Sequence, residues 1–345
     1  MRMPDDTASL RQAGAPQSLR GLGLALAVAA LPVFALWALN TGSAAIPIHT
    51  LVAALIDFDA SRAHIILWEV RLPRVLAGLL VGAQLAVAGA IMQAVTANPL
   101  ASPGLLGINA GAAFAVALAI ALAGMDGAGT LMWFAFLGAG MAAVTVYALG
   151  SAGRGGATPL KLALAGAVLT AFLASLTTVI LLRDQTTLDN VRLWSVGSLN
   201  GRPMSAVLAI GPWGLAGLAG AVLASGPIMT MSLGSDLSRA LGQSLGLWRA
   251  ISAALVVLLA GAAVALAGPV GFVGLVVPHM ARLLVGPDYR WIIAYSAPLG
   301  AGLVVLADTW LRWLSGVDIP VGVILALVGG PVFIVLVRRQ GWSLR

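Results

Sequence analysis

The chain of 345 residues contains no cysteine and very little charge. The absence of cysteine excludes disulfide bonds, cysteine-ligated zinc and thiol catalysis. Only 9% of the residues are charged, whereas 60% are hydrophobic, and the mean hydropathy is +1.00. A chain with this composition is too apolar to form a water-solvated globule. It predicts an all-α, polytopic membrane protein.

Acidic residues are few. The chain has 12 of them against 19 basic residues, which gives a net charge of +7. The basic residues lie singly at the ends of apolar runs and form no cluster, so we expect no nucleic-acid partner. They act instead as topology signals in a lipid bilayer.

Apolar runs of about twenty residues recur along the chain and predict about ten transmembrane helices. The first is too long for a signal-peptide core, so it should remain as an anchor. Residues 1–19 are polar and predict a loose cytoplasmic tail, which leaves 20–345 as a single transmembrane domain. The predicted spans are near 20–40, 72–95, 104–123, 131–150, 160–182, 205–231, 250–268, 270–285, 291–314 and 320–337.

An even number of spans puts both termini on the same side of the membrane. With the termini in the cytoplasm, twelve basic residues are cytoplasmic and seven lie outside, as the positive-inside rule favours. The outer seven are Arg62, Arg71, Arg74, Arg183, Arg192, Arg202 and Arg312.

The sequence also lacks the residues with which a transporter binds ATP, and it has few that could couple transport to an ion gradient. Its only lysine, Lys161, follows Leu160, so the Gly-Lys-Ser/Thr loop that cradles nucleotide phosphates is absent. Asp308 is the only acidic residue inside a predicted span, and Arg312 follows one helical turn later. A local ion pair is the favoured interpretation, and a proton relay is the alternative.

The sequence shows no pattern typical of a catalytic or metal site. His279 stands alone in "VVPHMAR", which favours a structural role over metal binding. We find no carboxylate pair and no nucleophile beside a base. An intramembrane enzyme is therefore disfavoured, and energy should arrive from a partner protein.

Five segments, spread from about residue 66 to the C-terminus, resemble the FecCD-type permeases of bacterial ABC importers for iron–siderophores, haem and vitamin B12. They are "RLPRVLAGLLVGAQLAVAGAIMQAVTANPLASPGLLGINAGAA" (71–113), "LWSVGSLNGR" (193–202), "SLGSDLSRALGQSLG" (232–246), "VALAGPVGFVGLVVPHMARLLVGPDYRW" (264–291) and "LADTWLRW" with "DIPVGVILALVGGPVFIVLVRR" (306–339).

The resemblance implies a type II importer permease of ten helices in the bacterial inner membrane. It implies a second permease protomer, identical or a sister chain, two cytoplasmic ABC ATPase subunits that carry ATP and Mg²⁺, and a periplasmic binding protein. No cofactor should bind this chain. A ferric siderophore is the expected substrate, haem and vitamin B12 stay open, and an ion-coupled carrier is the alternative from another class.

The segment 235–247 is polar and too short to span a membrane. Ser235 can cap a helix, Asp236 favours the helix dipole, and leucines recur at four-residue spacing. Two short helices, broken or bent by glycines, are expected on the cytoplasmic surface. The resemblance implies that they dock into the ATPase, whereas a loop resting in lipid headgroups is the alternative. The implied residues are Ser235, Asp236, Leu237, Arg239, Ala240, Leu241, Gly242, Leu245 and Gly246.

Two turns at the cytoplasmic side are candidates for a constriction. "TANPLASPG" (96–104) holds two prolines and a glycine and must leave helical geometry. The resemblance implies that Asn98 and Leu100 gate the pathway, and a plain turn is the alternative. A second constriction maps to residues 158–160, where this sequence departs from the hydroxyl pair of the B12 member.

The resemblance assigns roles to two further sets. It implies that Arg71, Arg74 and Arg312 face acidic residues on the binding protein, whereas snorkelling at the membrane interface is the alternative. It also implies that the helix 160–182 lines the pathway with weakly polar groups. Hydrogen bonds back to the same helix are the alternative for these hydroxyls, Thr170, Ser175, Thr177 and Thr178.

Overall fold

The computed structural model describes residues 17–42, 46–125, 127–152 and 158–339, and within these ranges the chain is helical with no β-strand. A π-helical segment, Ile66–Arg71, joins α3 to α4, and a 3-10 turn, Pro103–Leu106, precedes α5. The α-helices are α1 (Gln17–Asn40), α2 (Ile48–Ile56), α3 (Arg62–Ile65), α4 (Leu72–Thr96), α5 (Ile108–Ala123), α6 (Ala128–Ser151), α7 (Pro159–Leu181), α8 (Gln185–Ser195), α9 (Met204–Leu223), α10 (Ser225–Ser232), α11 (Ser235–Ala240), α12 (Leu245–Ala267), α13 (Val273–Val285), α14 (Tyr289–Ser315) and α15 (Val321–Arg339).

Within the described residues, ten apolar helices occur in the order of the ten predicted spans. In the described ranges, seven are long and apolar enough to cross a membrane, and three are shorter, Ile108–Leu122, Val273–Val285 and Val321–Ile334. The second span is longer than predicted, because Arg62–Thr96 runs for 35 residues and so for about 50 Å. The sixth is shorter, since α9 ends at Leu223 and Ala224 separates it from α10.

The predicted N-terminal tail is only partly described. Residues 1–16 lie outside the described ranges, and Gln17 already begins α1, three residues before the predicted start of the first span. The short helices α2 and α8 were not predicted, because neither has the length of a membrane span.

Helix α4 lies at the centre of the bundle and is buried along most of its length. Glycine makes this packing possible. A Cβ atom at Gly82 would overlap the carbonyl oxygen of Gly300 on α14, and one at Gly89 would overlap that of Gly274 on α13. The helix backbones are therefore in direct contact, as is typical of membrane helices packed through small residues.

Helices α4 and α14 run antiparallel, because Arg74 faces Asp308 while Gly82 faces Gly300. The start of α4 and the end of α14 therefore share one end of the bundle, which we call the arginine end. Met229 of α10 touches the backbone of Tyr289 at the start of α14, 3.3 Å from Sδ to N. We call this opposite end, which also holds α11 and the end of α4, the coupling end.

Candidate functional site

The coupling end presents α11 with apolar side chains turned outward. Leu237 is 48% exposed and Leu241, just after the helix, is 64% exposed. Asp236 and Arg239 are exposed on the same short helix. An exposed apolar pair flanked by both charges is the kind of surface that a protein partner covers.

The buried side of α11 is held to the bundle by hydrogen bonds. Ser238 is fully buried, and its hydroxyl oxygen lies 2.9 Å from the carbonyl oxygen of Thr230 and 2.7 Å from that of Gly234. Farther along, the amide nitrogen of the Gln243 side chain donates to the carbonyl of Pro227 at 2.9 Å. These bonds hold α11 and the turn after it against α10.

Four details of the predicted coupling segment were wrong. Ser235 does not cap α11, because Gly234 occupies the cap position and no side-chain cap is formed. The second short helix is absent, since Leu245 opens α12, which continues to Ala267. Leu245 is buried and so leaves the exposed face, and Gly246 lies within α12 and does not break it. The break at Gly242 is confirmed by its positive φ of 77°.

The loop after α4 leaves helical geometry where the sequence predicted. Ala97 adopts a left-handed conformation, with φ 48°, and ends the helix. The side-chain oxygen of Asn98 accepts a hydrogen bond from the backbone N–H of Leu100 at 2.9 Å. Leu100 is 41% exposed. The turn is therefore confirmed, and the gate role stays a prediction.

The second predicted constriction lies at the start of α7. Thr158 is the N-cap of this helix, and its side chain accepts the N–H of Lys161 at 3.4 Å. Leu160 is 70% exposed. Capping accounts for Thr158, so the structure gives this position no further role.

Two breaks in the helices meet beside the middle of α4, and sequence reasoning missed this. The segments 97–107 and 268–272 share a cavity of about 200 Å³, which Leu85, Ser102, Asn109 and Phe272 help to line. Phe272 has a φ of 67°, which is rare for an aromatic residue and tends to mark functional positions. Non-helical backbone inside a membrane bundle is tolerated where it borders a cavity. The Gly-Pro pair at 268–269 was the available signal.

Helix α7 has only two buried residues on the described protomer, Gly166 and Thr177, and about half of the helix is exposed. Thr170, Ser175 and Thr178 are exposed, as expected of a helix facing a pathway or a second protomer. Thr177 is buried and does not share this face, so the four hydroxyls do not form one wall. Ser175, Thr177 and Thr178 each donate to the carbonyl four residues back, at 2.9, 2.7 and 2.9 Å.

The arginine end contains a network of ion pairs around the buried side chains of Arg74 and Asp308. Arg74 donates to both carboxylate oxygens of Asp308, at 2.8 and 2.9 Å, and its third nitrogen lies 2.7 Å from Asp318. Arg312 reaches Asp308 at 3.3 Å. The predicted local pair of Asp308 and Arg312 is confirmed, but the principal partner is Arg74. Asp318, in the short loop before α15, was missed.

Two of the three arginines predicted to dock the binding protein, Arg71 and Arg74, are buried within the protomer, and Arg312 is partly buried. Arg71 is 4% and Arg74 6% exposed. Arg71 donates to the carbonyl of Leu39 in α1 at 2.7 Å. Their burial rules out snorkelling for these two, because both guanidinium groups are held within the protein. The docking role of Arg71, Arg74 and Arg312 stays a prediction.

His279 and the acidic residues do not come together. In the described part of the chain, no group of three or more histidine, aspartate or glutamate residues could hold a metal ion. His279 is buried in α13, and its Nε2 atom has no hydrogen-bond partner there.

Comparison with known proteins decides the family. The model of the FecCD transport family matches residues 30–339. This chain belongs to the FecCD transport family. The resemblance read from the five sequence segments is thereby confirmed.

FecCD relatives match along most of the chain. The iron(3+)-hydroxamate import system permease protein FhuB of Bacillus subtilis (strain 168) is 42% identical over 305 residues, 88% of this chain and 79% of its own. The ferric enterobactin transport system permease protein FepD of Escherichia coli (strain K12) is 41% identical over 300 residues, 87% and 90%. The vitamin B12 import system permease protein BtuC of Yersinia enterocolitica is 39% identical over 288 residues, 80% and 82%.

A solved structure supports the FecCD fold. An inward-facing conformation of a metal-chelate type ABC transporter superposes with a TM-score of 0.79 at 27% identity and covers 92% of this chain and 98% of its own. The chain is therefore an all-α, multi-pass permease with the type II architecture of ABC importers, as predicted.

Proposed function

We propose that this chain is the permease subunit of an ATP-driven importer that moves a ferric siderophore from a periplasmic binding protein to the cytoplasm. The similarity to permeases named for hydroxamate and enterobactin, at 42% and 41% identity, carries the proposal. Vitamin B12 is the second candidate, because BtuC is 39% identical. Haem is a further candidate within the family.

The proposed complex contains a second permease protomer, identical or a sister chain, and two cytoplasmic ATPase subunits that carry ATP and Mg²⁺. The exposed length of α7 supports a contact between protomers. The exposed leucines of α11 support a contact with an ATPase, since α11 is anchored to the bundle through Ser238. In this complex, closure of the ATPases moves α10 and α11 against the permease core.

We place the chain in the bacterial inner membrane with both termini in the cytoplasm. This orientation follows the excess of basic residues on that side. The coupling end then faces the cytoplasm, and the arginine end faces the periplasm. Asn98 and Leu100 lie at the inner mouth of the pathway, and the cavity beside Phe272 lies on the route between the two ends.

An ion-coupled carrier is the alternative from another class. Such carriers use an acidic group that faces a water-filled path inside the membrane. Asp308, the acidic residue within α14, is instead bound by Arg74 and Arg312. The paired carboxylate favours a structural role and therefore an external energy source.

Uptake by a bacterial strain that lacks its own siderophore permeases tests the substrate. The strain would express this chain with candidate ATPase and binding-protein partners and receive radioactive iron as enterobactin, hydroxamate or citrate chelates, or labelled cobalamin or haem. We expect accumulation of one iron chelate. Accumulation of cobalamin or haem alone would replace the proposed substrate, and a matched strain without this chain provides the background.

A further inference from the structure

A second cavity opens at the arginine end, beside the buried ion pairs. It measures about 440 Å³ and lies between the loop 196–203, α8 and the loop before α15. The charged groups that line it are Arg74, Arg202 and Asp318, and Asn190, Ser198 and Asn200 add polar groups. Two positive charges and one negative charge thus face the same cavity.

The two arginines of this cavity differ in their partners. All three nitrogens of the Arg74 guanidinium are engaged by aspartates at 2.7–2.9 Å. Arg202 has a single long hydrogen bond, from Nε to the carbonyl of Ser198 at 3.4 Å. Among the described residues no carboxylate lies within ion-pair distance of Arg202. The positive charge left over in the cavity is therefore that of Arg202.

The environment of Arg202 makes an anionic partner favourable. Burial lowers the pKa of its guanidinium, because part of the hydration of the charge is lost. A guanidinium stays charged in proteins and presents a planar fork that fits a carboxylate in bidentate fashion. The amide groups of Asn190 and Asn200 can donate further hydrogen bonds to the same carboxylate.

We propose that the Arg202 cavity receives one aspartate or glutamate side chain of the docked binding protein. This inference rests on the proposed function, because it takes the arginine end as periplasmic and the partner as a binding protein. Charge complementarity carries it: Arg202 is free of acidic partners within the described chain, whereas Arg74 is already neutralised. One wall of the cavity is held in place, because Asp318 in the loop before α15 is bound by Arg74.

Binding kinetics in nanodiscs test the proposal. The full permease–ATPase complex is immobilised, and the probe is the purified binding protein that supports uptake in the experiment above. Arg202→Gln is expected to raise the dissociation constant at least about tenfold, and Arg202→Lys less. The control Arg192→Gln removes the same charge from an exposed side chain of α8 outside the cavity, and about a twofold change is expected.

A double-mutant cycle identifies the partner group. Each acidic residue on the binding protein is changed to its amide, and one of these changes should lose its effect in the Arg202→Gln permease. Two results together would overturn the cavity assignment while leaving the proposed function intact. The wild-type and Arg202→Gln complexes would bind the binding protein equally well, and every acid-to-amide change would have the same effect on both complexes. Lower chelate uptake with unchanged capture would assign the cavity to a carboxylate of the chelate and also overturn it. If the wild-type complex captures no binding protein, the proposed function fails as well.

Correct folding of Arg202→Gln is checked by its thermal unfolding midpoint in the same nanodiscs. Arg202 makes no ion pair within the described chain, so the midpoint should match that of the wild type. If the midpoint falls, Asn200→Asp is used instead, because it adds a negative charge to the cavity while it leaves Arg202 in place. That variant should also weaken capture, and unchanged capture would count against the proposal.

Discussion

Arg74 and Asp308 are 234 residues apart in the sequence, and their side chains form a bidentate ion pair inside the protein, with N–O distances of 2.8 and 2.9 Å. The pair joins the start of α4 to the end of α14. Arg312 and Asp318 extend it to a network of four charges. Buried charges are tolerated only when they are paired, so the buried side chains of Arg74 and Asp308 depend on each other.

The first prediction concerns this network. Arg74→Met should destabilise the protein by about 3–5 kcal/mol, because it leaves buried carboxylate without its main partner. Arg290→Met is the matched control, because the exposed Arg290 side chain pairs with Asp288 at the coupling end. Its loss should lower the free energy of unfolding by less than about 1 kcal/mol. Chemical unfolding of both variants in detergent micelles measures the difference. Equal shifts would contradict a structural role for Arg74.

The second prediction concerns the contact between helix backbones. Gly89→Ala should destabilise the bundle by about 1–3 kcal/mol, because the added methyl group meets the carbonyl of Gly274 on α13. Gly226→Ala in α10 has no neighbouring atom within 4 Å and should be neutral or stabilising. Thermal unfolding of the two alanine variants provides the test, and a loss of stability in Gly226→Ala alone would refute this packing.

The third prediction concerns coupling. Leu241→Asp should leave the permease folded, because the side chain is exposed, but should abolish the stimulation of ATP hydrolysis by the loaded binding protein. Leu241→Met keeps an apolar side chain at the same exposed position, so it is the control and should retain stimulation. Assembly and ATPase activity are measured in liposomes. Full stimulation in Leu241→Asp would contradict the coupling role and favour the alternative, a segment that rests in lipid headgroups.

The fourth prediction concerns the loop after α4. Single cysteines at Asn98 and Leu100 should react with a polar thiol reagent at rates that differ between nucleotide-free and nucleotide-trapped complexes. The chain has no cysteine of its own, so the labelling has no background. A cysteine at buried Thr177 should stay unreactive in both states, and one at exposed Leu193 should react equally in both. Equal labelling rates in the two states at positions 98 and 100 would contradict the gate role and favour a plain turn.

The sequence predicted the order of the helices well because the apolar length of each span is a local property. It also predicted the turn within 96–104, where prolines leave the chain few conformations. The coupling segment was predicted less accurately, since Gly246 was interpreted as a break although α12 continues through it. Local pattern cannot show whether a glycine packs within a helix or ends one.

Interactions between distant segments could not be predicted from the sequence. Arg312 lies one helical turn from Asp308 and was recognised, but Arg74 lies on another helix and was assigned to the surface. Arg202 was recognised only as one of seven basic residues on the outer side. Its isolation from acidic groups depends on how Asp318 is used by Arg74, which only the folded chain shows.

We propose that ATP hydrolysis in separate subunits drives this permease. The test uses proteoliposomes that hold the permease–ATPase complex, with iron-loaded binding protein outside and ATP and Mg²⁺ inside. We expect radioactive iron to enter only when ATP is present, and a proton ionophore to leave the rate of entry unchanged. Iron uptake without ATP that collapses when the ionophore is added would contradict it.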